Sequence, residues 1–373
     1  MDHIVATYRL RAVGEALREL ARKVAVELTV EVPDPLIDRY PDIEGSIIPQ
    51  IETAEEVGAE TSILRLHFSP ALADGGLPQW LNLLSGNVSM MPQVELLDAE
   101  FPAELLSRFP GPSHGIAGLR ERLGVFGRPI IATALKPRGA PLEDLEAVAE
   151  AFARGGGEVI KDDHNLVEAR FEDYRERVLR IRDAVARGSA ASGRPCLYHA
   201  LLTGPIPELE RRLCLLEEEG IDGVLVAPML LGLEATRHLL AKTDLFVWTH
   251  PSFSGSVAHP AGGSVSPAFL HGTLFRLIGA DAAVFVNHGG RFPISRDDCL
   301  AIAHQCRRSF GAWRPTFPVP AGGMRLDRLD AMADDFGPDT ILLIGGDLLI
   351  HEAGVEAGTR LFVERVTQRF DSA

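Results

Sequence analysis

From residue 130 onward, short apolar runs of strand length alternate with longer segments of helical period, and this rhythm leaves the chain few ways to fold. The runs are IIATALK (130–136), EVIKD (158–162), PCLYHAL (195–201), GVLVAP (223–228), LFVWTH (245–250), AAVFVN (282–287), TFPVPA (316–321) and TILLIG (340–345). Between them lie helical patterns such as LEDLEAVAEAFARGG, PELERRLCLLEEEG and SPAFLHGTLFRLIGA, several closed by the glycine that a left-handed helix end favours. Eight buried strands, each followed by a helix, predict a closed (β/α)8 TIM-type barrel rather than an open doubly wound sheet. No GxGxxG follows the first strand, which argues further against a dinucleotide fold.

The first 120 residues read differently. HIVATYRLRA, GSIIPQIETAEE and ETSILRLHFSP alternate as strands, and GEALRELARKVAVEL and PQWLNLLSGN carry helical period. They predict a small α+β domain with an antiparallel sheet over residues 1–120 and the barrel over 121–373, joined near RFPGPSHGIAG (108–118). With 46% hydrophobic and 24% charged residues, both parts have material for a core. A net charge of -15 repels polyanions, so nucleic acid is not an expected partner, although a local pocket can still hold a small anion. No basic-then-apolar stretch opens the sequence, and no apolar run reaches the ~20 residues that span a bilayer. A cytoplasmic, membrane-free protein is the expectation. Cys196, Cys214, Cys299 and Cys306 lack the paired spacing of a zinc site and read as plain thiols in a reducing compartment.

Lysine occurs only at Lys23, Lys136, Lys161 and Lys242; every other base among the 37 lysines and arginines is arginine. Lysine loses its proton when desolvated and becomes a nucleophile or base, whereas arginine stays charged. Two of these scarce lysines end apolar strands, and barrel active sites lie at the carboxyl ends of the strands. That rim gathers Lys136, with Arg138 just beyond it, then Lys161, Asp163 and His164. It continues with His250, with Asn287, His288, Gly290 and Arg291, and with the glycine pairs Gly322–Gly323 and Gly345–Gly346. Glycine pairs after the seventh and eighth strands suit a phosphate, because backbone N–H groups can approach it without a Cβ in the way. In VIKDDHNL (159–166), Lys161 and Asp163 share one side of an extended segment. Two donors beside a lysine suggest a metal. An ammonium cannot ligate a cation, so the lysine is either a spectator or carries a carboxylate of its own. The plainer alternative is an ion pair of Lys161 with Asp162 or Asp163, and His164 as a helix-entry residue.

GPSHGI, GRPIIATALKPRG and GGGEVIKDDHN, in this order and spacing, resemble the signatures of the ribulose bisphosphate carboxylase/oxygenase (RuBisCO) large chain. The resemblance implies an α+β domain followed by an eight-stranded barrel. It also implies Mg2+ held by Lys161, carbamylated by CO2, with Asp163 and His164 as further ligands. Lys136 matches the lysine that handles the enediolate proton, and His250 an active-site histidine. Glu27 and Asn87 resemble residues that reach a neighbouring subunit's barrel, which implies a homodimer or dimer-based oligomer.

Departures from the family bear on the reaction. His164 stands where the family has glutamate, a softer neutral donor. Pro251 replaces a phosphate-binding arginine, and no lysine follows Lys242 to orient CO2, so carboxylation of ribulose bisphosphate is not expected. Arg291 in NHGGRF suits a substrate carboxylate. The resemblance therefore points to a RuBisCO-like enzyme forming a metal-stabilised enolate from a phosphorylated keto sugar acid, with decarboxylation, or carboxyl migration and hydrolysis, of 3-oxo-isoapionate 4-phosphate as the leading expectation. The alternatives are an enolase or isomerase of methionine salvage, acting on a methylthio sugar phosphate, and a non-catalytic binding module.

Overall fold

The computed structural model describes residues 2–259 and 262–371. The chain divides into two compact units, 1–110 with 253–274, and 111–252 with 275–373. No helix among the described residues is long and apolar enough to cross a membrane.

In the first unit, strands β1 (Ile4–Leu10), β2 (Gln50–Glu56), β3 (Ser62–Phe68) and β4 (Val94–Glu100) form a sheet in the order β2-β3-β1-β4. Its β2–β3, β1–β3 and β1–β4 pairings are antiparallel. Alternation drives it: Ser62, Leu64, Leu66 and Phe68 are all buried, while the residues between them are partly exposed. Helix Gly14–Glu27 buries Leu17, Leu20, Ala21, Val24 and Ala25, a single apolar stripe at helical spacing. Trp80 stacks on Phe101 at 4.5 Å, meets Phe109 edge-on at 4.7 Å and donates its indole N–H to Ala73 at 2.8 Å.

Strand β4 is absent from the sequence reading. Its register slips between Thr7, opposite Asp98, and Tyr8, opposite Leu96, so Leu97 bulges out and the two-residue period of VELLDAE is lost. Segment 253–274 belongs to this unit through β4: Leu96 donates to Ser264 O at 2.9 Å and accepts from Ser266 N at 2.8 Å. It ends in a π-helix, Phe269–Leu274, where the sequence predicts ordinary helix.

The second unit is the predicted barrel. Its strands are β5 (Ile130–Leu135), β6 (Val159–Asp162), β7 (Leu197–Leu201), β8 (Gly223–Val226), β9 (Phe246–Thr249), β10 (Ala282–Val286), β11 (Phe317–Ala321) and β12 (Ile341–Ile344), closed by parallel pairing of β12 with β5. Buried on both faces, they read as continuous apolar runs. Ala132, Ala134, Val159, Leu225, Trp248, Val284 and Val319 pack together in its core.

The conspicuous glycines before β6 have separate causes. Gly156 sits at φ +83°, and a Cβ on Gly157 would fall 2.3 Å from the Phe152 ring. The GPSHGI motif is anchored by Asp281, just before β10. One of its carboxylate oxygens accepts from the backbone N–H groups of His114 at 2.8 Å and Gly115 at 2.7 Å, and the other from Val247 N–H at 2.9 Å. Replacing Asp281 by alanine strands three donors, two buried and one partly buried. At about 1–3 kcal/mol per unpaired group, Asp281→Ala should cost at least ~3 kcal/mol in denaturant unfolding. Asp281→Asn, which keeps one carbonyl acceptor, should lose less.

Candidate active site at the ends of strands β5, β6 and β9

Strand β6 points Val159 into the barrel core, and the two-residue period then carries Lys161 to the same interior. Lys161 lies between Ala134 and His199 in register and is 2% exposed. Its Nζ donates to Asp162 O at 3.1 Å. Burial pulls its pKa down to about 8, with Asp163 opposing that shift and Lys136 adding to it. An amine that gives up its proton more readily than an ordinary lysine is thus held at the strand end.

The lysine that pairs with the adjacent acid is a different one. Lys136, directly after β5, places Nζ 3.0 Å from Asp163 Oδ2. The other oxygen of Asp163 accepts from Asn165 N–H at 3.0 Å and lies 3.5 Å from His164 Nδ1. Burial pushes the Asp163 carboxyl up, but Lys136 and the Asn165 N–H outweigh it and hold the group below the usual carboxylate range. The plain alternative of a Lys161–Asp163 ion pair is therefore not what forms.

His164 stacks on His250, directly after β9, with ring centroids 3.9 Å apart and planes 18° from parallel. His250 Nδ1 lies 2.8 Å from Ser252 Oγ, and its backbone N–H donates to Val226 O at 2.8 Å. Burial lowers the pKa of His164 despite the Asp163 carboxylate, so the ring is neutral at neutral pH and keeps a lone pair for a cation.

Among the described residues no three His, Cys, Asp or Glu side chains form a metal-binding group. The donor set fits a cation only if Lys161 contributes. An uncharged buried amine can add CO2, and the resulting carbamate would join the Asp163 carboxylate and the His164 imidazole.

The remaining expected residues make other contacts, although the Arg291 charge is among those that lower the His164 pKa. Asn287, fully buried, directs its amide to Met332 Sδ at 3.1 Å. His288 pairs through Nε2 with Asp335 Oδ2 at 2.8 Å, and Arg296 also binds Asp335. Both therefore lean on helix Leu329–Phe336 rather than on the lysine cluster. Arg138 and Arg291 are exposed, and the Arg291 guanidinium lies 5.3 Å over the Phe292 ring.

The loop glycines after β10 and β11 are tied by Arg328, which donates to Gly289 O at 3.2 Å, Gly323 O at 3.3 Å and His288 O at 3.2 Å. Gly290 lies against Gly322, whereas Cβ atoms on Gly322, Gly345 and Gly346 would meet open space. In the first unit, Asn87 donates to Glu27 Oε1 at 3.2 Å. Sequence reading missed Arg328 and Asp335, because neither sits at a strand end and their partners are distant in the chain.

Because only the uncharged amine reacts, the Lys161 pKa can be tested by competitive labelling with trace acetic anhydride, a small reagent that has no titratable proton of its own. In metal-free protein, modification at Lys161 measured by peptide mass mapping should rise with pH and level off above about 8. A rate still climbing toward the ordinary lysine value of about 10.4 would contradict the burial argument.

Residues 115–367 match the ribulose bisphosphate carboxylase large chain, catalytic domain. The chain is 36% identical to 5-methylthioribulose-1-phosphate isomerase of Rhodospirillum rubrum, over 98% of this chain and 96% of that one. It is 28% identical to 2,3-diketo-5-methylthiopentyl-1-phosphate enolase of Bacillus licheniformis, over 97% and 91%. The crystal structure of a Rubisco-like protein from Rhodopseudomonas palustris superposes with a TM-score of 0.87 at 34% identity, covering 99% of this chain and 98% of that one. These relatives overturn the expectation of 3-oxo-isoapionate 4-phosphate decarboxylation or hydrolysis: they are named for isomerising or enolising methylthio sugar phosphates. The chain belongs to the ribulose bisphosphate carboxylase large-chain family, in its RuBisCO-like, non-carboxylating branch.

Proposed function

We propose that this chain is an enzyme that enolises a methylthio ketose phosphate, removing a proton beside the carbonyl and returning one at a neighbouring atom. The observation that carries the reading is the Lys136–Asp163 pair, 3.0 Å apart, beside a second lysine with a pKa of about 8. Lys136 would be the group that moves the proton, and its ion pair with Asp163 fixes where Nζ sits. Its side chain is 40% exposed, so a substrate entering from the rim can reach it. Lys161, Asp163 and His164 would hold Mg2+, and when bound that cation would polarise the substrate carbonyl.

His250 stacks on His164 and restricts the ring that would face the cation. Gly322, Gly323, Gly345 and Gly346 offer backbone N–H groups for the phosphate, next to loops tied by Arg328. Glu27 and Asn87 are assigned on this reading to the barrel mouth of a second copy, which makes a homodimer the smallest working unit. Isomerisation is favoured over the enolase reaction because the isomerase is the more similar relative, at 36% against 28% identity.

The test uses 5-methylthioribulose 1-phosphate and 2,3-diketo-5-methylthiopentyl 1-phosphate in deuterated water with Mg2+ and bicarbonate, followed by NMR. The wild type should incorporate deuterium beside the carbonyl of the first, and Lys136→Met should slow that exchange by about 10²–10⁴-fold. Product from the second compound alone would shift the assignment to an enolase. Exchange into neither, or a Lys161→Ala variant with undiminished exchange, would sink the reading.

A further inference from the structure

Asp162 stands between two residues of the candidate cation site and points the other way. It is fully buried on the outer face of β6. One carboxylate oxygen accepts from Tyr198 OH at 2.9 Å and the other from Leu201 N–H at 2.7 Å, so the side chain fastens the end of β6 to β7. Arg177, on helix Phe171–Ser192 and itself 4% exposed, binds Asp162 and donates to Tyr198 OH at 3.0 Å. The same guanidinium reaches Glu168 Oε2 through Nη2 at 3.2 Å, and a second contact runs from Nε to Oε1.

Glu168 lies on the segment that leads from His164 to that helix. Its backbone carbonyl accepts from Arg212 at 3.0 Å, and Arg212 also donates to Thr203 O at 2.7 Å. Burial alone would discourage the charge on Arg177, but the Asp162 and Glu168 carboxylates outweigh that and keep it ionised.

A buried lattice of this kind is seldom the most stable filling for its volume; apolar side chains often do as well or better. What it does provide is a single orientation. Strand side chains alternate, so holding Asp162 outward obliges Lys161 and Asp163 to face inward. Holding Glu168 fixes the segment that carries His164. We propose that Arg177, through Asp162 and Glu168, is the positioning residue that sets Lys161, Asp163 and His164 as one cation site. This deepens the proposed function and rests on its reading of those three residues as the ligands.

Isothermal titration of the full chain with Mg2+ and with Mn2+, at fixed bicarbonate, tests it independently of any substrate. Arg177→Met should weaken cation binding by about 10- to 100-fold, the range seen when a ligand's supporting partner is lost. Arg177→Lys should recover part of the loss, because it keeps a charge on Asp162 but not the fork to Glu168. Arg276→Met is the control. Arg276 is as deeply buried, but among the described residues it donates only to the backbone carbonyls of Arg308, Trp313 and Arg314. That substitution should lower the unfolding temperature and leave cation affinity unchanged.

Should Arg177→Met fail to fold, Glu168→Gln at the 18% exposed edge of the lattice removes a charge with less disturbance and should also weaken the cation. Wild-type affinity in Glu168→Gln, or in a folded Arg177→Met, overturns the inference. A wild type that binds no cation under bicarbonate overturns the ligand reading and this inference with it. Binding without turnover of either methylthio substrate overturns the substrate reading alone.

Discussion

A strand buried on both faces gives a charge no route to water, so each one placed there must find a partner or be neutralised. Val159–Asp162 carries this constraint twice. On the inner face Lys161, with a backbone carbonyl for a partner, comes down to a pKa of about 8. On the outer face Asp162 stays within a lattice of donors. The chemical readiness of the inner residue and the fixed geometry of the outer one have the same origin, the exclusion of solvent from the strand. Lys136, at the wetter rim, meets the milder version of the problem and resolves it by pairing with Asp163.

The histidine in the site extends the same logic. A glutamate beside Asp163 and a carbamate would add a third negative charge. His164 adds none, and its contact with His250 is a face-to-face overlap of two rings rather than an ion pair. As a cation site the cluster would carry less negative charge than a three-carboxylate site, and a nitrogen donor would make it more hospitable to borderline cations such as Fe2+, Ni2+ or Zn2+ than oxygen ligands alone.

Much of this architecture could be read from the sequence because parallel strands covered on both sides leave a strong trace. All eight barrel strands fall within the apolar runs, with ends that differ by at most two residues. The grouping of Lys136, Lys161, Asp163, His164 and His250 was readable for the same reason, since strand ends in a barrel share a rim. Strand β4 was not readable, because a bulge at Leu97 erases its alternation. The partners of Asn287 and His288 were equally hidden: Met332 and Asp335 lie more than forty residues away, on a helix whose facing side no local pattern reveals.

The border between the two units has a consequence for synthesis. Strand β4 exchanges hydrogen bonds with Ser264 and Ser266, and residues 253–274 belong with the amino-terminal unit although they follow β9 of the barrel. A ribosome that has delivered the first 110 residues has therefore not delivered a finished unit. The small sheet waits, with one flank incomplete, until five barrel strands have been translated, so the two units cannot mature strictly one after the other.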